Sequence, residues 1–106
     1  MRGIQRSILK EAIRTFGESN QITVAIEEMS ELTKELCKVK RQFSEGEKYL
    51  SQDTINALSE EMADVSVMLE QLKIIFSNVV EVEIFADKKI NRLLSRIKDA
   101  KAGDEK

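Results

Sequence analysis

Apolar residues recur along the chain with helical spacing and divide it into four segments, separated by glycines and polar residues. Each segment has three or four apolar residues for every two turns, as an amphipathic helix requires. The predicted helix starts lie at Ile4, at Ser19 or Asn20, at Ser51 or Asp53, and directly after Asn78, where a capping box is expected. The pattern therefore predicts an all-α, four-helix bundle-like chain.

The second and third helices carry apolar residues with a 3.5-residue period. In the second helix these are Ile22, Ala25, Met29, Leu32, Leu36, Val39 and Phe43. In the third helix they are Ile55, Leu58, Met62, Val65, Leu69, Leu72 and Phe76. This period is typical of neighbours packed at a shallow, coiled-coil-like angle. We therefore expect a central antiparallel hairpin that turns at Gly46.

The third helix has more apolar surface than one neighbour covers. Its additional apolar residues are Val67, Met68, Ile74 and Ile75. A chain of 106 residues has limited room to enclose such a helix. We therefore expect a single domain over residues 1–106, with residues 98–106 as a frayed tail, that assembles as a homodimer or homotetramer.

An internal repeat relates the second and third helices, and it repeats charged residues as well as apolar ones. Residues 22–43 recur 33 positions later as residues 55–76, with seven of the 22 positions identical. The repeated acidic pairs are Glu28 with Glu31 and Glu61 with Asp64. Packing alone explains repeated apolar residues. Like charges beside a packing face are costly unless a cation compensates them, so the repeated acids indicate a metal site.

The predicted hairpin places the two acidic pairs at one level. Residues three apart lie on nearly the same face of a helix. In an antiparallel hairpin about Gly46, residues whose numbers sum to 92 lie at the same height, which matches Glu28 to Asp64 and Glu31 to Glu61. Four converging carboxylates repel one another unless divalent cations bind them. Solvent-exposed, helix-favouring glutamates explain one such pair, but they explain a doubled and level-matched pattern less well.

Composition restricts the kind of metal and the compartment. The chain has no histidine and a single cysteine, Cys37. Imidazole catalysis and a His/Cys zinc site within one chain are therefore excluded, which leaves a hard, oxygen-bound ion: Mg²⁺, for which Mn²⁺ can substitute. One cysteine forms no internal disulfide and favours a reducing, cytoplasmic location. No apolar run reaches membrane-spanning length, so no membrane partner is expected.

The net charge of −2 is unevenly distributed, with acidic residues in excess over residues 17–85 and basic residues in excess over 86–102. This distribution suits a cation site flanked by phosphate-binding side chains. The candidates are Lys89, Arg92 and Arg96, for which ion pairs with the second and third helices are an equal alternative. Gln21, before the first acidic pair, is a candidate contact for a base or ribose. No aromatic-interleaved basic patch indicates nucleic-acid binding.

Taken together, these motifs resemble the MazG-like family of all-α nucleoside triphosphate pyrophosphohydrolases. The resemblance spans roughly residues 16–97. It rests on Gly17, Gln21 and Ala25 before EExxEL, on the following EExxDV, and on the Lys-x-x-Arg-x-x-x-Arg run at Lys89, Arg92 and Arg96. It implies that Glu28, Glu31, Glu61 and Asp64 are the catalytic, Mg²⁺-binding acids.

The resemblance also implies a reaction, the Mg²⁺-dependent hydrolysis of a ribo- or deoxyribonucleoside triphosphate to its monophosphate and pyrophosphate. Within the same architecture, phosphoribosyl-ATP pyrophosphohydrolase remains an alternative. A non-enzymatic helical assembly module is the alternative from another class, because heptads also serve assembly.

Overall fold

The computed structural model describes residues 3–104, which form four α-helices and no β-strand. The helices are α1 (Gly3–Phe16), α2 (Glu18–Ser44), α3 (Gln52–Phe76) and α4 (Val79–Asp104). The predicted all-α fold with four helices is confirmed. By its packing the chain divides into two compact units, Met1–Phe76 and Ser77–Lys106. The single domain over residues 1–106 stays a prediction.

The helix starts agree with the sequence pattern at α3 and differ from it at α2. Helix α2 begins directly after Gly17. The φ of Gly17 is 93°, which glycine adopts without strain. The predicted caps at Ser19 and Asn20 therefore lie inside the helix. At α3 the predicted cap is confirmed, because the backbone N–H of Thr54 donates a hydrogen bond to Ser51 Oγ at 3.2 Å.

Gly46 ends α2 in a left-handed turn. Its φ is 91°, its N–H donates to the carbonyl of Phe43 at 3.1 Å, and the N–H of Glu47 donates to the carbonyl of Gln42 at 3.0 Å. These two bonds are those of a Schellman motif, which satisfies the last carbonyls of a helix. The turn therefore requires the conformational freedom of glycine at this position.

Replacing Gly46 with alanine is expected to destabilise the first unit by about 1–2 kcal/mol, because a Cβ is unfavourable in the left-handed region. Gly103→Ala is the matched control, since Gly103 is helical and a Cβ there meets open space. Urea unfolding followed by circular dichroism measures both variants. Equal effects of the two substitutions would contradict this account of the turn.

Helix α4 starts where the sequence predicts and extends further than expected. It begins at Val79 after Ser77, whose φ is 50°. Within residues 3–104, Asn78 Oδ1 has no hydrogen-bond partner, so the expected capping box is not formed. Residues 98–104, expected to be frayed, continue the helix, because Ala100 and Ala102 favour it and Lys101 suits its last turn. Residues 105–106 of that tail lie outside the described part.

The core of the first unit lies where α1, α2 and α3 meet. Helix α1 contacts both other helices, and α2 and α3 share the most extensive contact of the unit. The buried apolar side chains are Leu9, Ile13, Ala25, Val39 and Met68. None of the helices described within residues 3–104 is long and apolar enough to cross a membrane.

The seam between α2 and α3 is rotated from the predicted heptads. Its buried or half-buried positions in α2 are Gln21, Ala25, Glu28, Leu32, Glu35, Val39 and Gln42. In α3 they are Thr54, Leu58, Glu61, Val65, Met68, Gln71, Leu72 and Ile75. The small Ala25, only 2% exposed, allows close approach of the helices, whereas the longer Met29, Leu36 and Phe43 are exposed. Acidic residues therefore lie in the seam itself and not beside it.

The additional apolar residues of α3 are mostly covered. Met68 is 5% exposed, Ile74 and Ile75 are half-buried, and Val67 is exposed. Helix α1 contributes to this cover, since its residues Ile8 and Leu9 line a small cavity together with Val67. In the second unit, by contrast, α4 buries no residue of its described range.

Candidate metal centre

Three of the four predicted acidic ligands converge between α2 and α3. One carboxylate oxygen from each of Glu28, Glu61 and Asp64 lies within 4.8 Å of the other two. Oxygens that share one Mg²⁺ at about 2.0–2.1 Å are at most about 4.2 Å apart, so small side-chain rotations would close this group on a cation. Glu31 is exposed and lies outside the converging group.

One carboxylate oxygen of Glu61 lacks a hydrogen-bond partner in the part of the chain that the structure describes. Glu28 and Glu61 are half-buried, and Asp64 is exposed. Glu61 Oε2 is shielded from solvent and has no hydrogen-bond partner within residues 3–104. An unsatisfied buried oxygen is costly, and more so when it carries charge. The chemistry of these donors fits a hard divalent cation, which would supply the missing partner.

Burial raises the pKa of Glu28 above its ordinary value of 4.5, and the charge of Asp64 raises it further. A hydrogen bond between the two carboxyls acts in the same direction, because a protonated Glu28 can donate to the Asp64 carboxylate. The charges of Glu61 and Glu31 add smaller contributions. The Glu28 carboxyl therefore holds a proton more tightly than an isolated glutamate does.

Glu61 behaves in the same way. Burial raises the pKa of Glu61 above 4.5, and the charges of Asp64 and Glu31 raise it further, followed by those of Glu35 and Glu60. Glu31 thus lies near enough to influence the cluster electrostatically, although it is outside the converging group. Glu35 and Glu60, which lie next to these acids in the sequence, therefore also act electrostatically on Glu61. Glu35 lies one turn after Glu31 and Glu60 directly precedes Glu61, and these positions are the signal that points to them.

The raised pKa values predict how the stability of the metal-free protein depends on pH. A glutamate with a raised folded-state pKa stabilises the folded state fully below its unfolded pKa, near 4.5, and loses that contribution as pH rises through the folded pKa. In the presence of EDTA, we therefore expect the melting temperature of wild type minus that of Glu61→Gln to decrease as the pH rises from about 4.5.

The control for this titration is Glu47→Gln, an exposed residue in the loop between α2 and α3. Its melting temperature relative to wild type should not follow the trend that Glu61→Gln shows. A constant difference between wild type and Glu61→Gln across the same pH range would contradict the electrostatic account of the cluster.

Gln21, the predicted base or ribose contact, lies in the seam. It is 6% exposed, and its Nε2 donates a hydrogen bond to Gln71 Oε1 at 2.8 Å. Gln71, 4% exposed, in turn donates to Met68 Sδ at 3.6 Å. The numbers 21 and 71 sum to 92, a signal that could have identified Gln71 as the partner of Gln21. Contact of Gln21 with a substrate stays a prediction.

The predicted basic residues lie together on α4. Lys89, Arg92 and Arg96 are exposed and, with Leu93, line a shallow groove of about 210 Å³. Within residues 3–104 none of the three cations forms an ion pair; the pairs that do occur join Arg14 to Glu11, Lys38 to Glu35 and Lys73 to Glu70. Their alternative role as ion-pair partners of α2 and α3 stays a prediction.

No protein-family model, curated protein or solved structure matches this chain. The resemblance to the MazG-like pyrophosphohydrolases therefore stays a prediction that rests on the motifs of the sequence. The class that the fold and the site define is an all-α protein with a carboxylate cluster suited to a hard divalent cation.

Proposed function

We propose that this protein is a MazG-like enzyme that hydrolyses a ribo- or deoxyribonucleoside triphosphate to its monophosphate and pyrophosphate, with Mg²⁺ as cofactor and Mn²⁺ as a substitute. The observations that carry the proposal are the convergence of one carboxylate oxygen each from Glu28, Glu61 and Asp64, and the shielded Glu61 Oε2, which has no hydrogen-bond partner within residues 3–104. The internal repeat relates Glu28 and Glu31 of α2 to Glu61 and Asp64 of α3. The cluster therefore belongs to a repeated acidic motif and is not a chance grouping of glutamates.

The proposal includes a central antiparallel hairpin of α2 and α3. Two pairs of side chains support it: Gln21 bonds to Gln71, and Glu28 lies beside Asp64. In both pairs the residue numbers sum to 92, the value expected for an antiparallel hairpin that turns at Gly46. This arrangement matters for function, because an antiparallel pair that turns at Gly46 brings the two repeated acidic motifs to one level.

In the proposed reaction, Glu28, Glu61 and Asp64 would hold Mg²⁺, whose charge would offset that of the phosphates and lower the pKa of water near it. Glu31, one turn from Glu28, adds negative charge near the cluster and completes the proposed set of acids. The half-buried setting of Glu28 and Glu61 strengthens their electrostatic interaction with a cation, since the local dielectric is lower than that of water. An amide in place of any of these carboxylates removes the charge that the cation requires.

The proposal assigns the groove of Lys89, Arg92 and Arg96 to phosphate groups of the substrate. A row of unpaired cations around one small groove can hold a polyanion, and arginine is well suited to bidentate phosphate contacts. Substrate contact by Gln21 requires its bond to Gln71 to open, because both amides are buried in the described chain.

We further propose a cytoplasmic homodimer or homotetramer that binds no nucleic acid and no membrane. Large exposed apolar side chains support the assembly; in α4 they include Val82, Phe85, Ile90, Leu93 and Ile97, each at least 41% exposed. Contiguous apolar surface of this extent is uncommon on monomers and usually marks an interaction surface.

The test of the proposed function is pyrophosphate release by the purified protein with Mg²⁺ and a panel of ribo- and deoxyribonucleoside triphosphates. Phosphoribosyl-ATP belongs in the panel, because its turnover in preference to the others would identify the alternative enzyme. We expect pyrophosphate and the monophosphate in equal amounts from at least one triphosphate, and none in EDTA. Release from no substrate by a folded, metal-loaded protein would favour the helical assembly module.

A further inference from the structure

A pair of amides is buried in the seam between α2 and α3. Gln21 Nε2 donates a hydrogen bond to Gln71 Oε1 at 2.8 Å, and the two residues are 6% and 4% exposed. Within residues 3–104 they are the two polar residues that are buried as completely as the apolar core. A buried amide that loses its hydrogen bond is costly, so a movement that separates the two side chains is unfavourable.

The amide pair and the carboxylate cluster lie on the same two helices at matched spacing. Gln21 precedes Glu28 by seven residues, and Gln71 follows Asp64 by seven residues. Seven residues make about two helical turns and rise about 10.5 Å. In the proposed antiparallel pair, the relative position of α2 and α3 along their axes, their register, is therefore the same for both contacts. The register that joins the amides also places Glu28 beside Asp64.

Apolar packing alone does not fix this register. The apolar seam residues of both helices recur every seven residues: Ala25, Leu32 and Val39 in α2, and Leu58, Val65 and Leu72 in α3. A slide of one helix by seven residues therefore returns apolar side chains to apolar neighbours. The connection over residues 45–51 permits such a slide, because seven extended residues reach about 23–25 Å and the slide is about 10.5 Å.

The carboxylates oppose the observed register in the metal-free protein. One oxygen from each of Glu28, Glu61 and Asp64 lies within 4.8 Å of the other two, and like charges at such separations repel. A slide that separates them relieves the repulsion. A buried polar contact acts in the opposite direction, because it specifies the register in which both partners are satisfied. The bond between Gln21 and Gln71 therefore favours the register that the acids oppose.

We propose that Gln21 and Gln71 are positioning residues for the metal site: their hydrogen bond holds α2 and α3 in the register that brings Glu28, Glu61 and Asp64 together before a cation binds. This inference deepens the proposed function and rests on its carboxylate site and its antiparallel pairing. Gln21 acts here through the helices that it joins and requires no contact with a substrate. Apparent affinity falls with the competent fraction, so one molecule in ten in this register means about tenfold weaker binding.

The first test replaces both amides with methionine and measures Mn²⁺ binding by calorimetry. Methionine keeps the length of glutamine, and removing both polar partners together is nearly neutral for folding. Gln21→Met/Gln71→Met should therefore melt in EDTA no lower than wild type, yet bind Mn²⁺ about tenfold more weakly or worse. Gln21→Leu/Gln71→Leu should behave in the same way. A purely structural pair would change stability and leave the affinity of the folded protein unaltered, so an affinity within about twofold of wild type would overturn the proposal.

The matched control is Gln52→Met/Asn56→Met. Gln52 Nε2 donates a hydrogen bond to Asn56 Oδ1 at 2.9 Å, so this variant also removes a bond between two amides. Both residues are exposed and belong to α3, and their bond cannot influence the register of α2 against α3. The control should bind Mn²⁺ as tightly as wild type. A loss of affinity as large as that of the buried pair would contradict the positioning role.

The second test measures the register itself and requires no metal. Nitroxide labels at Thr23→Cys and Ser59→Cys, in a Cys37→Ser background diluted with unlabelled chain, report one distance between α2 and α3. Both sites are exposed. Residue 23 lies at the level of residue 69, since the numbers sum to 92, so Ser59 is offset by ten residues, or about 15 Å, and sliding changes the distance. Pulsed electron resonance in EDTA should give a narrow distribution, which Gln21→Met/Gln71→Met should broaden or displace and Mg²⁺ should narrow again.

The two tests separate this inference from the proposed function. Identical distance distributions with and without the amides would overturn the positioning role, and the enzyme would stand if the protein binds Mn²⁺ and releases pyrophosphate. A wild type that binds no Mn²⁺, with a register that depends on the amides, would refute the metal site of the proposed function and confirm that the amides set the register.

Discussion

Replacing Glu61 with glutamine is expected to lower pyrophosphate release by at least about a hundredfold, the size of effect seen when one major electrostatic contribution to a transition state is lost. Glutamine keeps the shape of the side chain and removes its charge. Because it also removes repulsion from Asp64 and Glu31, the metal-free variant should be at least as stable as wild type. Initial rates of pyrophosphate release and thermal unfolding in EDTA measure the two effects.

The same change at other acids should produce a graded series. Glu28→Gln and Asp64→Asn should match Glu61→Gln, because all three oxygens belong to the converging group. Glu31→Gln should have a smaller effect, since Glu31 is exposed and acts on the group from a distance. Glu47→Gln is the control and should leave the rate unchanged. Near-normal turnover in a folded Glu61→Gln protein would contradict the proposed site.

Divalent metal is expected to raise the melting temperature of the wild-type protein by roughly ten degrees or more at a hundredfold excess over Kd. A ligand that binds only the folded state at that excess stabilises it by about 2.7 kcal/mol, and each kcal/mol shifts the midpoint of a domain of this size by about 4–8 °C. Metal also removes the cost of the unpartnered Glu61 oxygen. Thermal unfolding with millimolar Mg²⁺ or Mn²⁺, alone and with nucleotide, measures the shift.

A NaCl control of matched ionic strength separates binding from screening, because salt weakens repulsion between any exposed charges. Glu61→Gln should respond to Mg²⁺ no more than it responds to NaCl. An equal response of wild type to both salts would mean that the cluster holds no specific cation.

The sequence predicted the helices of this fold better than their mutual rotation. Helical periodicity indicates where α2 and α3 lie, but the exposed Met29, Leu36 and Phe43 recur every seven residues just as the seam residues Ala25, Leu32 and Val39 do. The observed seam keeps Ala25, Leu32 and Val39 from the predicted heptad, but its alternate positions are Glu28 and Glu35, while Met29 and Leu36 are exposed. A pattern that treats every apolar residue alike cannot resolve this choice.

Local backbone chemistry explains the smaller errors. Gly17 adopts a positive φ that ends one helix and starts the next, so α2 begins before the polar residues that resembled its caps. For Gln21, substrate contact stays a prediction, and its hydrogen bond to Gln71 was not predicted. Its buried partner Gln71 is fifty residues away in the sequence, and only the pairing of the helices reveals it.

The convergence of Glu28, Glu61 and Asp64 could be predicted because spacing along each helix and level across the hairpin were used together. The sum of 92 relates residues across the hairpin, and the structure brings Glu28, Glu61 and Asp64 into one group. The exposure of Glu31 could not be predicted from spacing. Glu28 and Glu31 lie on nearly the same face of the helix, and their spacing does not specify which of them points toward the seam. Because Glu28 and Glu61 occupy seam positions, the residues three further along are turned outward.

Calorimetric titration of Mn²⁺ into the metal-free protein tests the central claim most directly, because it detects the cation at the carboxylates without requiring a substrate to be known. Wild type is predicted to bind Mn²⁺ with a saturable isotherm, to release protons as the pH approaches the raised pKa values of Glu28 and Glu61, and to lose binding in Glu61→Gln but not in Glu47→Gln. A wild-type isotherm no different from that of Glu61→Gln, with and without nucleotide, would contradict the account.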